Sequence, residues 1–347
     1  MNAYLQINHN VKLPEGFTVR GGTMDDLQPA LRLFNRWSRA VIGRDEFADT
    51  ESIRAEWQAP GVDIAEDIHH IFAPNGELVG HVEVWTNAKP LVHPELWARL
   101  DPDYQDLGIG TWMMHWAEGR ALRALPGVPA GLRFAPHVGS YRQAQKAKKL
   151  FEELGYQHIR SLYHMLIEMD GPVPEAEFPE GITLRTYNPA ADAEAVYRAE
   201  QDAFRDHFGY VERPLEEGLK KWKHDREHKG YDPTLYFIAT DGPSGEIAGV
   251  IFCRPHSYYD ENSGWVRSLG VRRPWRKRGL GLALLRHSFN EFYLRGKRKV
   301  GLGVDAQNLT GALRLYEGAG MHIDQAYDIY EKELRPGTEI SVQSLSE

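Results

Sequence analysis

Between Arg272 and Gly281 the chain reads Arg-Arg-Pro-Trp-Arg-Lys-Arg-Gly-Leu-Gly, with five basic side chains in seven positions and a Gly-x-Gly directly behind them. Glycines let backbone N–H groups come close to a ligand, and a helix N-terminus behind them favours an anion. The five cations add a positive field, so a pyrophosphate is the guest such a loop suits. The pattern G-x-x-x-x-G-K-S/T is absent, which excludes a P-loop. The third glycine of the dinucleotide fingerprint is missing, and no strand with a terminal acid follows about 20 residues on, which disfavours nicotinamide cofactors. A lone Gly-x-Gly is more often just a turn, and a lone basic run is more often a solvated stretch. The signal here lies in their adjacency and in the elements on either side.

Those elements are read from the hydrophobic pattern as an α+β order. Ile182–Arg185 reads as a strand, Ala190–Phe208 as a helix, and Pro214–Glu227 as a second helix with Leu215, Leu219 and Trp222 at helical spacing. Leu235–Thr240 and Ile247–Arg254 are apolar runs joined by Asp241-Gly242-Pro243-Ser244-Gly245, the composition of a hairpin turn. Trp265–Val271 is the strand that leads into the basic loop, and Gly279–Leu294 is the helix that leaves it. Lys299–Val304, a helix over Asn308–Ala319 stopped by Gly320 in the C-cap position, and a strand near Tyr327–Glu333 complete the series.

The chain repeats this plan. Leu13-Pro14-Glu15-Gly16-Phe17-Thr18-Val19-Arg20 matches Phe178-Pro179-Glu180-Gly181-Ile182-Thr183-Leu184-Arg185 at an offset of 165 residues. The same offset carries Trp57 onto Trp222, Leu150-Phe151-Glu152 onto Leu315-Tyr316-Glu317, and Gly155 onto Gly320. Such a period is too long for a solenoid, so each copy is expected to be a whole domain. The Pro-rich segment 171–180 between them reads as an extended linker, because proline biases its predecessor away from helix. The expected organisation is a domain over residues 1–170, a linker at 171–180, a domain at 181–335 and a polar, frayed tail at 336–347.

Composition narrows the class. With 9 Trp, 16 Tyr and 13 Phe the chain is not disordered as a whole. No apolar run approaches the roughly 18 residues of a membrane span. The 41 Lys and Arg against 49 Asp and Glu give a net charge of −8, which does not favour nucleic acid as the main partner. Cys253, the one cysteine, forms no intrachain disulfide and sits in an apolar strand, as a buried inert thiol would. His224 and His228 are spaced i, i+4 beside Asp225 and Glu227, but lack an HExxH pattern and read as a solvated helix face; no metal is expected. The N-terminal residues carry no basic patch followed by an apolar stretch, so a cytoplasmic protein is the simplest reading.

Arg276-Lys277-Arg278-Gly279-Leu280-Gly281 resembles the Gln/Arg-x-x-Gly-x-Gly/Ala pyrophosphate loop of the GNAT superfamily of acyl-CoA-dependent N-acetyltransferases. Asn308, Ala312, Tyr316 and Gly320 resemble that superfamily's second motif, Asn-x-x-x-Ala-x-x-x-Tyr-x-x-x-Gly. Copy one is similar more weakly, through Gln105-Asp106-Leu107-Gly108-Ile109-Gly110. Two fused domains of this size resemble mycothiol synthase-like two-domain acetyltransferases. The resemblance implies two tandem GNAT-like domains, each a mixed, splayed sheet flanked by helices, with acetyl-CoA as acyl donor. It implies that Leu269 and Val271 pair with the pantetheine arm, that residues 278–281 hold the pyrophosphate within the field of Arg276, Lys277 and Arg278, and that Asn308 hydrogen-bonds the cofactor. It assigns to Tyr316 the proton that the departing thiolate needs, a role a phenol suits because it stays protonated at neutral pH.

The copies differ where that chemistry would happen. Phe151 stands at the position of Tyr316 and Gln143 at that of Asn308. The first loop, Leu100 to Gly110, carries three acids and no base, which repel a pyrophosphate. The second domain is therefore expected to be catalytic, and the first to be structural or a weak acyl-CoA binder. Candidates for the general base are His256, Asp260 and Glu261 near the start of the strand Trp265–Val271, and Asp202 and Asp206 on the preceding helix. The related two-domain enzymes suggest a glutamate at the start of that strand, where this chain has Trp265 and Val266. Arg205–Tyr210 either lines the acceptor pocket or simply ends an amphipathic helix. The expected reaction is direct transfer of acetyl from acetyl-CoA to a primary amine of a small molecule or peptide, by a monomer or homodimer. The rival reading is a catalytically silent acyl-CoA-binding module that regulates a partner. A nucleotide-phosphate enzyme is disfavoured by the missing P-loop lysine.

Overall fold

The structure is a computed structural model that describes residues 11–87, 91–212, 214–224, 231–257, 260–308 and 311–342. The chain forms two compact units. Their elements run β1 (Thr18–Gly21), α1 (Leu27–Ile42), α2 (Glu51–Trp57), α3 (Ile64–Asp67), β2 (Ile68–Phe72), β3 (Leu78–Trp85), β4 (Glu95–Leu100), α4 (Ile109–Arg123), β5 (His137–Tyr141), α5 (Gln145–Glu153) and β6 (Gln157–Glu168), then β7 (Ile182–Thr186), α6 (Pro189–Phe204), α7 (Leu215–His224), β8 (Tyr236–Asp241), β9 (Ile247–Arg254), β10 (Ser263–Val271), α8 (Leu280–Leu294), β11 (Lys299–Asp305), α9 (Ala312–Gly318) and β12 (His322–Glu331).

The two units repeat one pattern. In the first, β1 to β4 form an antiparallel run, β4 meets β5 in parallel, and β5 pairs antiparallel with residues 327–331 of β12. In the second, β7 to β10 are antiparallel, β10 meets β11 in parallel, and β11 pairs antiparallel with β6. Each is a mixed, open sheet flanked by helices. The last strand of each repeat thus serves the sheet of the other unit. This corrects the boundaries expected at residues 170 and 181: one unit comprises the chain to Arg160 with Tyr327–Ile340, and the other Ser161–Ala326 with the residues after Ile340. The physical reason is that strand partners are chosen by hydrogen bonding across space, which a linear break at a Pro-rich linker does not report.

The linker itself belongs to the second unit. Met169 N–H bonds Arg298 O at 2.8 Å, and the Phe178 ring lies edge-on to His287 of α8. The tail is not frayed over its described part. Thr338 N–H bonds Gly131 O, and Val342 exchanges backbone bonds with Gly209 and Tyr210. In the second unit β8 and β9 are buried on both faces, with α6 and α8 packed against β9. Strands covered on two sides read as continuous apolar runs rather than alternation, which is how Ile247–Cys253 appears. Asn188 caps α6 by accepting from Ala190 N–H, with Pro189 at the first helical position. No helix among the described residues is long and apolar enough to cross a membrane.

Candidate active site

β10 and β11 pair only from Ser263↔Lys299 to Val266↔Leu302. Beyond that point β11 continues against β6, while β10 stays with β9, so the two parallel strands part. A bulge at Arg267 accompanies the parting, since Val266 pairs with Cys253 and Ser268 with the adjacent Phe252. Arg272 N–H donates to Ala248 O at 3.0 Å, which fixes the alternation below the bulge. In an antiparallel pair successive residues turn their backbone groups to opposite sides. Leu269 and Val271 therefore turn theirs away from β9, toward the gap that β11 has left. This is an edge to which an extended ligand can add as a strand.

The loop after β10 is built for an anion. Lys277 has φ +60° and Gly279 φ +86°, so consecutive N–H groups turn inward at the start of the 15-residue helix α8. A Cβ on Gly279 would meet nothing within 4 Å, so the loop is open at that point. On Gly281 a Cβ would come within 3.2 Å of Leu315, which shows how closely α9 packs against the loop.

The basic side chains divide into two groups. Arg272 Nε donates to Asp202 at 2.8 Å, and Arg273 Nε to Asp206 at 2.9 Å. Arg276 spans three acceptors: Val271 O and Ala203 O at 2.9 Å each, and Asp206 Oδ2 at 2.7 Å. Its charge is matched by Asp206, and these three bonds brace the loop against the end of α6. It also occupies the carbonyl of Val271, leaving the N–H of that residue turned to the gap. Lys277 and Arg278 are exposed and make no ion pair among the described residues.

Those pairs also dispose of two candidate bases. Asp206 is held down to about 2, chiefly by the hydrogen bond from Arg273, and Asp202 is engaged with Arg272 and Arg205. Asp260 and Glu261 lie in the turn before β10; at about 3.3 Å per strand residue, Ser263 at the strand's start is already roughly 10 Å from Val266. His256 sits in the same connection, its Nδ1 3.2 Å from Ser257 O. Among the described residues no contact brings these three to the parting of the strands.

Tyr316 lies on α9 with its ring in the core of the second unit, 7% exposed. Burial pushes its phenol up to about 12, which keeps the proton in place at any neutral pH. Asn308 accepts from Ala312 N–H at 3.3 Å through Oδ1, a bond at the first turn of α9. Leu309 and Thr310, inside the same motif, and the residues from Asp225 to Glu227 with His228, lie outside the described residues. Cys253 is fully buried with its thiol pushed up by desolvation, as expected of an inert core residue.

One carboxylate was not singled out by the sequence. Glu200 on α6 accepts from Ser268 Oγ at 2.7 Å and from Trp222 Nε1 at 2.9 Å. Ser268 is the first residue below the bulge, so Glu200 stands beside the point where β10 leaves β11. A signal for it exists in the pattern. Glu200 follows Val196 by four and Tyr197 by three, which places a charge on the apolar face of an amphipathic helix.

The first unit keeps the frame with different side chains. β4 and β5 pair only at Glu95↔His137 and Leu96↔Val138, and its loop repeats the left-handed residues at Asp106 (φ +63°) and Gly108 (φ +80°). Asp106 there is paired with Lys146 at 2.7 Å. On the helix α1 side, Arg99 fills the space: 1% exposed, it bonds Glu46 and lies 3.9 Å from both the Trp37 and Trp97 rings. Phe151, 5% exposed, packs against Tyr156 and Tyr330.

Residues 29–156 and 193–321 each match the family model described as the acetyltransferase (GNAT) family. The mycothiol acetyltransferase of Salinispora tropica is 31% identical over 305 residues, covering 80% of this chain and 91% of the relative. That of Streptomyces coelicolor is 28% identical over 331 residues, covering 91% and 98%. Among solved structures, a GCN5-related N-acetyltransferase from Sphaerobacter thermophilus is 33% identical with a TM-score of 0.81, covering 94% of this chain and 99% of that one. A tandem GNAT protein from the clavulanic acid biosynthesis pathway, 16% identical with a TM-score of 0.69 over 93% and 100% of the two chains, shares the fold.

Proposed function

The chain belongs to the GNAT acetyltransferase family and is an N-acetyltransferase, and on that premise we propose that its second unit transfers acetyl from acetyl-CoA directly to the primary amine of a small molecule. The observation that carries this reading is the parting of β10 from β11 beyond Val266, directly above the left-handed loop at residues 277–279. Acetyl-CoA, when bound, supplies an activated thioester. The N–H groups of residues 278–281 hold its pyrophosphate, with Lys277 and Arg278 adding positive charge from outside. Leu269 and the N–H of Val271 pair with the pantetheine arm. Such pairing lays the arm along β10 toward the bulge, which brings the thioester to Ser268 and Glu200.

At that point the chain's own residues move two protons. Glu200 takes the one the amine must lose, directly or through Ser268 Oγ, and Tyr316 gives the one the thiolate must gain. Each turnover therefore leaves Glu200 protonated and Tyr316 as a phenolate, and one proton passed from the first to the second by way of solvent restores both. Asn308 serves the cofactor indirectly, by fixing the first turn of α9 and so the phenol. The first unit is structural in this scheme, because Phe151 has no proton to give and Arg99 with Glu46 fills the acceptor side. The relatives named mycothiol acetyltransferase favour a small-molecule acceptor over a peptide one.

Tyr316→Phe tests the reading. It should lower kcat by about 10²–10⁴-fold, the usual worth of a positioned general acid, while calorimetry shows acetyl-CoA binding unchanged. Unaltered turnover would remove Tyr316 from the chemistry. Acetyl-CoA binding by the wild type without any thiol release across an amine panel would instead favour the silent binding module.

A further inference from the structure

Gly303 of β11 borders the gap that β10 leaves, and no local requirement makes it a glycine. Its φ is not in the left-handed region, unlike those of Gly279 and Gly320. β11 pairs with β6 in unbroken register from Lys299 to Asp305, so no bulge calls for it. Among the described residues a Cβ here would meet nothing within 4 Å. The residue is exposed although its neighbours Leu302 and Val304 are buried. Glycine inside a strand weakens it. Where neither a bulge nor a neighbouring side chain demands one, the close approach of a ligand is the remaining reason.

Alternation along the strands fixes the side on which that space opens. A Cβ on Gly264 would press on the Phe292 ring of α8 at 2.5 Å, so Trp265, next along β10, turns to the opposite side. The Trp265 ring lies 2.8 Å from where a Cβ of Gly301 would stand. That contact accounts for Gly301 and puts it, with Gly303 two residues on, on the side of Trp265. It is the side of α6, where Ser268 meets Glu200 and a Cβ on Gly270 would meet Ala203. His164 of β6 stands opposite Gly303, its ring edge-on to Trp265 at 5.7 Å. The first unit differs at this place. Gly139 and Gly303 each directly follow the last residue paired in parallel across the parting strands, Val138 and Leu302. The Tyr327 ring covers Gly139 so closely that a Cβ there would strike it, and Tyr141 packs edge-on to Tyr327 at 5.4 Å. The space is filled in the unit assigned a structural role and open in the unit assigned the chemistry.

On the premise that the second unit transfers acetyl to an amine, we propose that Gly303 sets its acceptor specificity. The missing side chain is the room for the carbon skeleton beside the nitrogen, and the acceptor is a primary amine borne on a branched or ring carbon rather than on a slender chain. With the nitrogen at Glu200 and Ser268 across the gap, its substituents lie on the bare backbone of β11, beside the His164 and Trp265 rings. An uncovered strand with aromatic walls suits the face of a ring. A straight-chain amine leaves this space to water.

The experiment compares the full chain with Gly303→Val, and with Gly303→Ala as the smaller step. Thiol release from acetyl-CoA is followed over primary amines running from ethylamine and n-butylamine to sec-butylamine, cyclohexylamine and glucosamine. In the wild type kcat/KM should favour the branched and ring amines. Gly303→Val should lower kcat/KM for those about 10²-fold, Gly303→Ala by less, and the loss for slender amines should be at least about tenfold smaller. Acetyl-CoA affinity by calorimetry should hold, and Tm should not fall, because a β-branched residue suits a strand better than glycine does. A wild type that prefers slender amines, ring amines undiminished in Gly303→Val, or an equal loss for every amine would overturn the assignment and leave the transferase reading standing. So would weakened acetyl-CoA binding or a lower Tm, which would give Gly303 a cofactor-side or structural role. Thiol release with none of the amines in the wild type would refute the transferase reading, and the assignment with it.

Discussion

Arg276→Ala separates a brace from a phosphate contact. Arg276 makes three bonds, to Val271 O, Ala203 O and Asp206 Oδ2, and is 24% exposed against 5% for Asp206. A hydrogen bond involving a charged group contributes about 1.5–3 kcal/mol when buried. Partial exposure lowers that, and Arg273 still pairs with Asp206 after the change. The expected loss is therefore about 2–3 kcal/mol for the whole set. For a cooperative unit of this size that is a fall in Tm of roughly 5–10 °C without any ligand. The assay is a thermal melt of the ligand-free protein beside a calorimetric titration with acetyl-CoA. Acetyl-CoA affinity should fall only in step with the loosened loop, by about tenfold. The opposite pattern, an unchanged melt with affinity lost 100-fold or more, would mean that Arg276 touches the pyrophosphate itself, and the reasoning would be refuted.

Two other outcomes follow from the same geometry. Glu200→Gln keeps a partner for Ser268 Oγ and Trp222 Nε1 while removing the proton acceptor; kcat/KM for the amine should drop about 10²-fold with acetyl-CoA affinity intact, whereas unchanged kcat/KM would remove Glu200 from the chemistry. His70, buried between Asp26 at 3.2 Å and His81 at 2.9 Å, is pushed down to about 4 by desolvation. Because the unfolded chain takes up that proton near 6.5 and the folded chain does not until about 4, stability should fall as pH drops through this window, by up to about 3 kcal/mol. Urea titrations at pH 7, 6, 5 and 4 should show the slope reduced in His70→Gln; identical slopes would contradict it.

What could be read from the sequence was local. The loop drew notice because a basic run is followed at once by Gly279-Leu280-Gly281, and the elements on both sides were visible because their apolar spacing is strong. The repeat fixed the shared plan of the two units. The exchange of β6 and β12 left no trace in spacing, since a strand carries the same alternation whichever neighbour it bonds. The partners of the basic loop were hidden for a related reason. Arg272, Arg273 and Arg276 look like a phosphate field until α6 brings Asp202 and Asp206 against them, and that meeting depends on a helix some 70 residues earlier. Glu200 escaped notice because a single charge on an apolar helix face is legible only once the face has been shown to look at the bulge after Val266.

A crystal structure of the full chain soaked with coenzyme A bears most directly on the second unit as the seat of transfer. Density should run from the N–H groups of residues 278–281 along Leu269, with the sulfur near Ser268 and within reach of the Tyr316 hydroxyl. Coenzyme ordered elsewhere, with the gap between β10 and β11 vacant, would contradict the assignment.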